Sequence, residues 1–242
     1  MHVAKLGLGL VKLGRDQGVK YPTPVKIPTD AEAQALLLSA AKLGINLLDT
    51  APAYGISEIR LGKLLGSARQ DWLICTKVGE EFIDGQSSHD FSPEHCRFSV
   101  ERSLRRLNTD VLDIVLIHSD GNDIDILKRQ GTLQALQDLK AEGKIRAVGM
   151  SHKTLAGGEL ALAQGADIIM ATLNREHTED AELIANAARA GCGVLIKKAL
   201  SSGHGSAEDL RFVAAHEGVH CIVVGTTSPL HLAENAAALA LA

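Results

Sequence analysis

Aromatic residues are scarce in this chain, at 3% of 242 residues, with one tryptophan and two tyrosines. A ring-lined pocket for steroids or large arenes is therefore not expected. Basic residues do not outnumber acidic ones, and the formal net charge is -4. Such a protein has no electrostatic attraction for nucleic acid or for an anionic membrane surface, so neither is expected as its main partner. No apolar run approaches the roughly 20 residues that a membrane-spanning helix needs.

Paired cysteines and a dinucleotide fingerprint are also missing from the sequence. The four cysteines are spread without close pairing or metal-ligand spacing, at Cys75, Cys96, Cys192 and Cys221. The first residues lack the basic and apolar segments of a secretory leader, so we expect a cytoplasmic protein with reduced thiols. Residues 6–12 contain two glycines, but this run is too short and wrongly placed for a dinucleotide-binding motif.

The chain does contain a regular alternation of apolar runs and helix-forming segments. Apolar runs predict strands at residues 6–12, 45–49, 72–77, 111–118, 145–150, 167–173, 193–197 and 219–224. Helices are predicted after these runs, at residues 33–43, 57–65, 93–107, 132–141, 154–163, 178–190, 206–216 and 229–242. Thr29 and Glu32 have the spacing of a capping box, and Ser92-Pro93 supplies a cap with proline at the first helical position.

These eight strand-then-helix pairs average about 30 residues each, the size of one βαβ step. Near-continuous apolar strands are typical of a parallel sheet that is covered on both faces. The pattern predicts an α/β fold, a closed (β/α)₈ TIM barrel forming a single domain over residues 1–242. A doubly wound open sheet is the competing layout, but it usually has fewer strands and a glycine-rich phosphate loop after the first.

Ionisable side chains follow three neighbouring strands of the predicted barrel. Asp49, Lys77 and His118 end the second, third and fourth strands, and Tyr54 lies on the loop after the second. Each has a purely structural explanation, such as a turn residue, a rim ion pair or a packed ring. Because the carboxyl ends of barrel strands converge on one face, four such residues together favour a catalytic site.

The four side chains together can donate a proton to a carbonyl oxygen. A phenol with a pKa near ~10 is a weak acid at neutral pH, and the ammonium of Lys77 is expected to lower that pKa. Asp49 can hold Lys77 charged and oriented, while His118 can hydrogen-bond the carbonyl oxygen. Such a donor suits carbonyl reduction. No protein side chain donates hydride, so a cofactor is required.

Several segments resemble the aldo-keto reductase family, in order and at suitable spacings along essentially the whole chain. They are Asp49-Thr-Ala-Pro-Ala-Tyr54-Gly with Ser57-Glu58 and Leu61-Gly62, then Thr76-Lys77, Leu116-Ile117-His118, and Gly149-Met150-Ser151. The resemblance implies a catalytic tetrad of Asp49, Tyr54, Lys77 and His118, with Tyr54 as general acid. It also implies a nicotinamide cofactor bound without a Rossmann fold.

The loops after the seventh and eighth strands are candidates for the cofactor phosphates, as is common in barrels. Their candidate residues are Leu200, Ser201 and Gly203, then Gly225, Thr226 and Thr227. Taken alone, Gly-Thr-Thr-Ser-Pro favours a simple helix cap over a phosphate site. Glu234 and Asn235 resemble the adenine-binding pair of the family, which favours the cofactor interpretation.

The sequence departs from the family around the nicotinamide. Ser151 keeps the expected polar anchor, but His152, Met170 and Lys197 stand where asparagine, glutamine and a stacking aromatic residue are common. His231 occupies a position where the family often has an arginine for the 2′-phosphate of NADP. Arginine is the bidentate phosphate binder, and its absence weakens discrimination against NAD. NADP(H) is predicted on family habit, with NAD(H) as the alternative.

The sequence therefore predicts an NAD(P)H-dependent reductase of small aldehydes or ketones, working as a monomer, with Tyr21 as the aromatic candidate for the substrate pocket. A cofactor-binding sensor with little turnover is the alternative, because the nicotinamide contacts are altered. A metal-dependent hydrolase using His118 and Asp49 is disfavoured, since no third ligand is evident and Lys77 would repel a cation.

Overall fold

The computed structural model describes residues 2–19, 26–201 and 203–240. Its strands are β1 (Leu6–Gly9), β2 (Leu47–Asp49), β3 (Leu73–Val78), β4 (Glu80–Ile83), β5 (Gln86–His89), β6 (Leu112–His118), β7 (Ile145–Ser151), β8 (Ile168–Thr172), β9 (Gly193–Lys197) and β10 (Cys221–Gly225). Eight of them form a closed barrel in the order β1-β10-β9-β8-β7-β6-β3-β2. All neighbouring pairs are parallel, and β1 pairs with both β10 and β2. The predicted (β/α)₈ barrel is confirmed.

The helices lie between the barrel strands. They are α1 (Asp30–Lys42), α2 (Ser57–Leu65), α3 (Pro93–Arg106), α4 (Asp123–Lys128), α5 (Thr132–Ala141), α6 (Leu155–Ala163), α7 (Ala181–Arg189), α8 (Ala207–Ala214) and α9 (Pro229–Ala240). Thr29 and Glu32 form the expected capping box at the start of α1, and Ser92 caps α3. These caps satisfy backbone N–H groups that the first helical turn leaves without partners.

Three local elements differ from the sequence prediction. Strand β1 ends at Gly9, and a 3-10 turn follows at Val11–Leu13. Strands β4 and β5 form an antiparallel hairpin, paired from Glu80↔His89 to Ile83↔Gln86, that the sequence analysis did not predict. Helix α4 lies between β6 and α5, where the sequence analysis predicted no helix. The hairpin and α4 both extend the face of the barrel on which the strands end.

The barrel has an apolar interior column that is separate from the shell between strands and helices. The column consists of Leu47, Cys75, Ile114, Leu116, Ile168, Met170, Leu195 and Cys221. Because side chains alternate along a strand, the residues two positions further on also face inward, at the carboxyl end of each strand. The sequence therefore places a fixed set of residues at one opening of the barrel.

Glycine at position 149 permits the close approach of β7 and β8. A Cβ atom added to Gly149 would lie 1.7 Å from the carbonyl oxygen of Ile168. The four cysteines are buried as free thiols. Within the described residues, no helix combines the length and apolar character needed to cross a membrane.

Candidate active site

Eight inward-facing positions surround the opening of the barrel, which we call the mouth. They are Gly9, Asp49, Lys77, His118, Ser151, Thr172, Lys197 and Gly225, one at the carboxyl end of each barrel strand. Two are glycines on the paired strands β1 and β10. The mouth is therefore open on that side and polar on the other.

A buried ion pair joins β2 and β3 at the mouth. Lys77 is 1% exposed and Asp49 is 5% exposed. Lys77 Nζ donates to Asp49 Oδ1 at 2.6 Å and to the Thr50 carbonyl oxygen at 2.9 Å. Burial works against the charge of Lys77, but Asp49 and Tyr54 outweigh it and raise the pKa of the lysine. Lys77 is thus held as a fixed cation.

Tyr54 lies beside this cation on the turn after β2. Lys77 Nζ is 4.8 Å from the centroid of the Tyr54 ring. Burial raises the pKa of Tyr54, Asp49 raises it further, and Lys77 offsets only part of this rise. Lys77 acts on the phenol pKa in the expected direction, but the net pKa is raised, because desolvation of the phenolate exceeds the attraction of one ammonium that is already paired.

Two glycines fix the tyrosine turn against the loop after β1. A Cβ atom on Gly14 would lie 2.4 Å from the Tyr54 carbonyl oxygen, and one on Gly55 would lie 2.1 Å from the Gly14 carbonyl oxygen. Gly55 also has a φ of +60°, which favours glycine. Arg15 Nη1 donates to the Ala53 carbonyl oxygen at 3.1 Å. The turn is thus held by backbone contacts on both sides of Tyr54.

His118 closes the group at the end of β6. Its ring lies edge-on to that of Tyr54, with 6.1 Å between centroids and an interplanar angle of 87°. His118 Nδ1 lies 2.8 Å from Glu80 Oε2 on the hairpin. Burial lowers the pKa of His118 and so does Lys77, while Glu80 opposes them. The structure thus brings the four predicted tetrad residues together at the mouth.

Lys197 crosses the mouth from β9 towards β7. Its Nζ donates to Ser151 Oγ at 2.9 Å and to the His152 carbonyl oxygen at 2.5 Å. Burial lowers the pKa of Lys197 to about 7, and the neighbouring Lys198 and Lys77 act in the same direction. Burial therefore favours the neutral amine of Lys197 far more than in a solvent-exposed lysine.

A sequence model of the Aldo/keto reductase family matches residues 5–209. The chain belongs to this family. A crystal structure from Pseudomonas aeruginosa, described as an aldo-keto reductase, is 49% identical and has a TM-score of 0.91, with 99% of this chain and 90% of that chain covered. The aldo-keto reductases are oxidoreductases that use nicotinamide cofactors.

Two curated relatives carry specific names. L-galactose dehydrogenase of Arabidopsis thaliana is 36% identical over 157 residues, which is 62% of this chain and 45% of the relative. NADH-specific methylglyoxal reductase of Escherichia coli is 36% identical over 163 residues, which is 62% of this chain and 48% of the relative. The matches thus span about half the length of these relatives.

Two residues that the family resemblance implies as nicotinamide contacts do not have their side chains at the mouth. His152 is 1% exposed and points outward from the barrel, with Nε2 bonded to Asp180 Oδ2 at 2.9 Å. Successive side chains alternate on a strand, so the residue after inward-facing Ser151 faces the helices. Met170 faces inward but belongs to the apolar column, one layer below Thr172. Neither side chain reaches the mouth, although the carbonyl of His152 contacts Lys197.

The loop between β10 and α9 has donors that fit the anionic groups of a dinucleotide. Thr226 is buried, and Thr227 and Ser228 are half-buried, between β10 and α9. Ser228 caps the start of α9, where its Oγ accepts from the His231 N–H at 3.3 Å. A 12-residue helix presents a partial positive charge at this end. The two threonine hydroxyls and this helix start are chemically suited to the phosphates of the family's cofactor.

The remaining predicted cofactor residues lie on the segment after β9 and on α9. Leu200, Ser201 and Gly203 form a compact turn in which three successive N–H groups, those of Gly203, His204 and Gly205, donate to the Leu200 carbonyl oxygen. His231, Glu234 and Asn235 lie within the first two turns of α9, with His231 and Glu234 exposed. Tyr21, predicted for the substrate pocket, lies outside the described residues.

The sequence analysis missed three residues near the site. Thr172 faces the mouth, and alternation from Ile168 along β8 would have indicated it. Glu80 and Arg15 approach from the hairpin and the first loop, and no local pattern predicts that they meet the tetrad. The described residues contain no group of three or more His, Cys, Asp or Glu side chains that could hold a metal ion.

Proposed function

We propose that the protein is an NAD(P)H-dependent reductase of small aldehydes and ketones, with Tyr54 as general acid. The observation that carries this proposal is the convergence of Tyr54, His118 and the Lys77–Asp49 pair at the barrel mouth. The bound nicotinamide supplies the hydride. The substrate carbonyl then lies between Tyr54 and His118, within reach of both.

The raised pKa of Tyr54 is compatible with this role. The phenol remains protonated at neutral pH, so the proton is present when it is needed. An alkoxide developing on the substrate oxygen is more basic than a phenolate, and the proton therefore moves in the favourable direction. Lys77 stabilises the phenolate that remains, because its ammonium is fixed beside the ring.

Lys77 and Asp49 act on Tyr54 without carrying the transferred proton. The ammonium already donates to Asp49 and to the Thr50 carbonyl oxygen, so its position is set before substrate binds. Such preorganised charge costs no rearrangement during the reaction. His118 orients the carbonyl oxygen from the side of β6.

For the cofactor we propose NADP(H), with NAD(H) as the alternative. Two threonine hydroxyls, Ser228 and the start of α9 support a phosphate-binding role for the loop after β10. His231 adds positive charge there when protonated. The Escherichia coli relative is named as NADH-specific, so the preference of this chain has to be measured by titrating NADPH and NADH in parallel.

The test of the proposed function is Tyr54→Phe, which removes the acidic hydroxyl and keeps the ring. We expect kcat for carbonyl reduction to fall about 10²- to 10⁴-fold, while the Kd for NADPH, measured by cofactor fluorescence, stays near the wild-type value. Retention of most activity by Tyr54→Phe would contradict the role of Tyr54. Tight NADPH binding by the wild type without turnover over a broad carbonyl panel would instead favour a sensor.

A further inference from the structure

Glu80 is a charged residue beside the tetrad that has no part in the chemistry proposed above. It is the first residue of β4, and its Oε2 lies 2.8 Å from His118 Nδ1. Its Oε1 accepts from Ser87 Oγ at 2.7 Å and lies 3.5 Å from Arg15 Nη1. Both oxygens therefore have fixed neighbours, and the hairpin holds the carboxylate against the imidazole.

The short contact determines which nitrogen of His118 carries hydrogen in the neutral ring. A lone pair on Nδ1 would be repelled by the Glu80 carboxylate at 2.8 Å, whereas an N–H dipole there is attracted to it. Burial works against ionisation of Glu80, but the contact with His118 and the bond from Ser87 lower its pKa to about 2. The hydrogen therefore belongs to Nδ1. Because Oε2 lies off the N–H axis, the attraction is mainly electrostatic.

The state of Nδ1 limits what Nε2, at the other edge of the ring, can do. With hydrogen on Nδ1, a neutral imidazole has only a lone pair at Nε2, and it donates there only as imidazolium. A carbonyl oxygen needs a donor. An alcohol hydroxyl, in contrast, can itself donate to a lone pair.

We propose that Glu80 is a positioning residue that fixes hydrogen on His118 Nδ1 and supplies the counter-charge of the imidazolium. Protonated His118 then serves carbonyl reduction, and neutral His118 serves alcohol oxidation. This inference rests on the proposed reductase function. It gives the hairpin a role at the site, since the negative charge beside His118 comes from β4.

The charged groups around His118 oppose one another. Glu80 on β4 favours the imidazolium, whereas Lys77 on β3 and Lys197 on β9 disfavour it. The ring of Tyr54, on the turn after β2, is nearly perpendicular to that of His118, and its phenol remains neutral. Arg15 and Ser87 act on Glu80 rather than on the ring. Removal of Glu80 therefore leaves two lysines unopposed at His118.

The experiment is an NMR titration of the His118 ring in the protein without cofactor or substrate, so it does not depend on turnover. Nitrogen-15 shifts distinguish the two neutral tautomers, and a His118→Asn variant assigns the signals by their loss. In Glu80→Gln we expect the pKa of His118 to fall by about 1 unit or more, since a carboxylate in contact has that effect. The pH at which the reduction rate declines should fall by the same amount.

Glu81→Gln is the matched control, because Glu81 is the next residue of β4 but pairs with His95 and Arg102 on α3. It should leave the His118 titration unchanged, while Glu80→Asp should restore part of the shift. An unaltered His118 titration in Glu80→Gln, or a wild-type neutral ring with hydrogen on Nε2, would overturn the inference. Failure of carbonyl turnover alone would count against the proposed function and leave the NMR result standing.

Discussion

The buried Lys77–Asp49 pair should be costly to break and cheap to remove. In Asp49→Asn, Lys77 stays at 1% exposure and loses the negative charge at 2.6 Å, so that only neutral acceptors remain, the amide oxygen at position 49 and the Thr50 carbonyl oxygen. An uncompensated buried charge of this kind costs about 3–5 kcal/mol. This is a large part of the ~5–15 kcal/mol that typically stabilises a folded protein.

Urea unfolding followed by fluorescence of Trp72, the single tryptophan, measures this loss. Lys77→Met should also destabilise the protein, but the double variant Asp49→Asn/Lys77→Met should recover most of the loss, because neither charge remains. Lys63→Met is the control, since Lys63 is 73% exposed in its pair with Asp30 and should cost less than about 1 kcal/mol. A loss below about 1 kcal/mol in Asp49→Asn would refute this account of the pair.

Two further predictions concern the barrel around the tetrad. Burial lowers the pKa of Lys197 from 10.5 to about 7, so the unfolded chain binds this proton more tightly than the folded protein does. The free energy of unfolding therefore rises with pH between these two pKa values. Lys197→Met should flatten that rise in urea unfolding at several pH values, and an unchanged slope would contradict it. Gly149→Ala should destabilise the protein by about 1–3 kcal/mol or more, because its methyl group meets the Ile168 carbonyl at 1.7 Å. Gly9→Ala, whose nearest contact is 3.4 Å, should unfold at nearly the wild-type urea concentration; equal effects of the two would be evidence against the contact.

Local signals were sufficient for the barrel and for the grouping of the tetrad. Apolar runs, caps and glycines delimit each strand-then-helix pair, and β9 and α5 agree with the predicted bounds at both ends. Once eight parallel strands are accepted, closure brings Asp49, Lys77 and His118 to one end without further information. This part of the site follows from topology.

The remaining features depend on finer information. Strand β5 is polar and β4 has two acidic residues followed by two apolar ones, so apolar alternation could not reveal the hairpin. Asp84-Gly85 is a known hairpin-turn pair, and both residues have positive φ. The side chain of His152 faces the helices because it follows inward-facing Ser151, and strand alternation would have indicated this. The depth of Met170 depends on barrel stagger, and the contact between Glu80 and His118 joins separate segments. No sequence spacing encodes these two facts.

The mutual contact of Gly14 and Gly55 has a consequence for protein engineering. Each glycine lies where the backbone of the other segment leaves no room for a side chain, so the first loop and the tyrosine turn form one unit. Exchanging the first loop for that of another barrel would displace Tyr54 unless both glycines were kept.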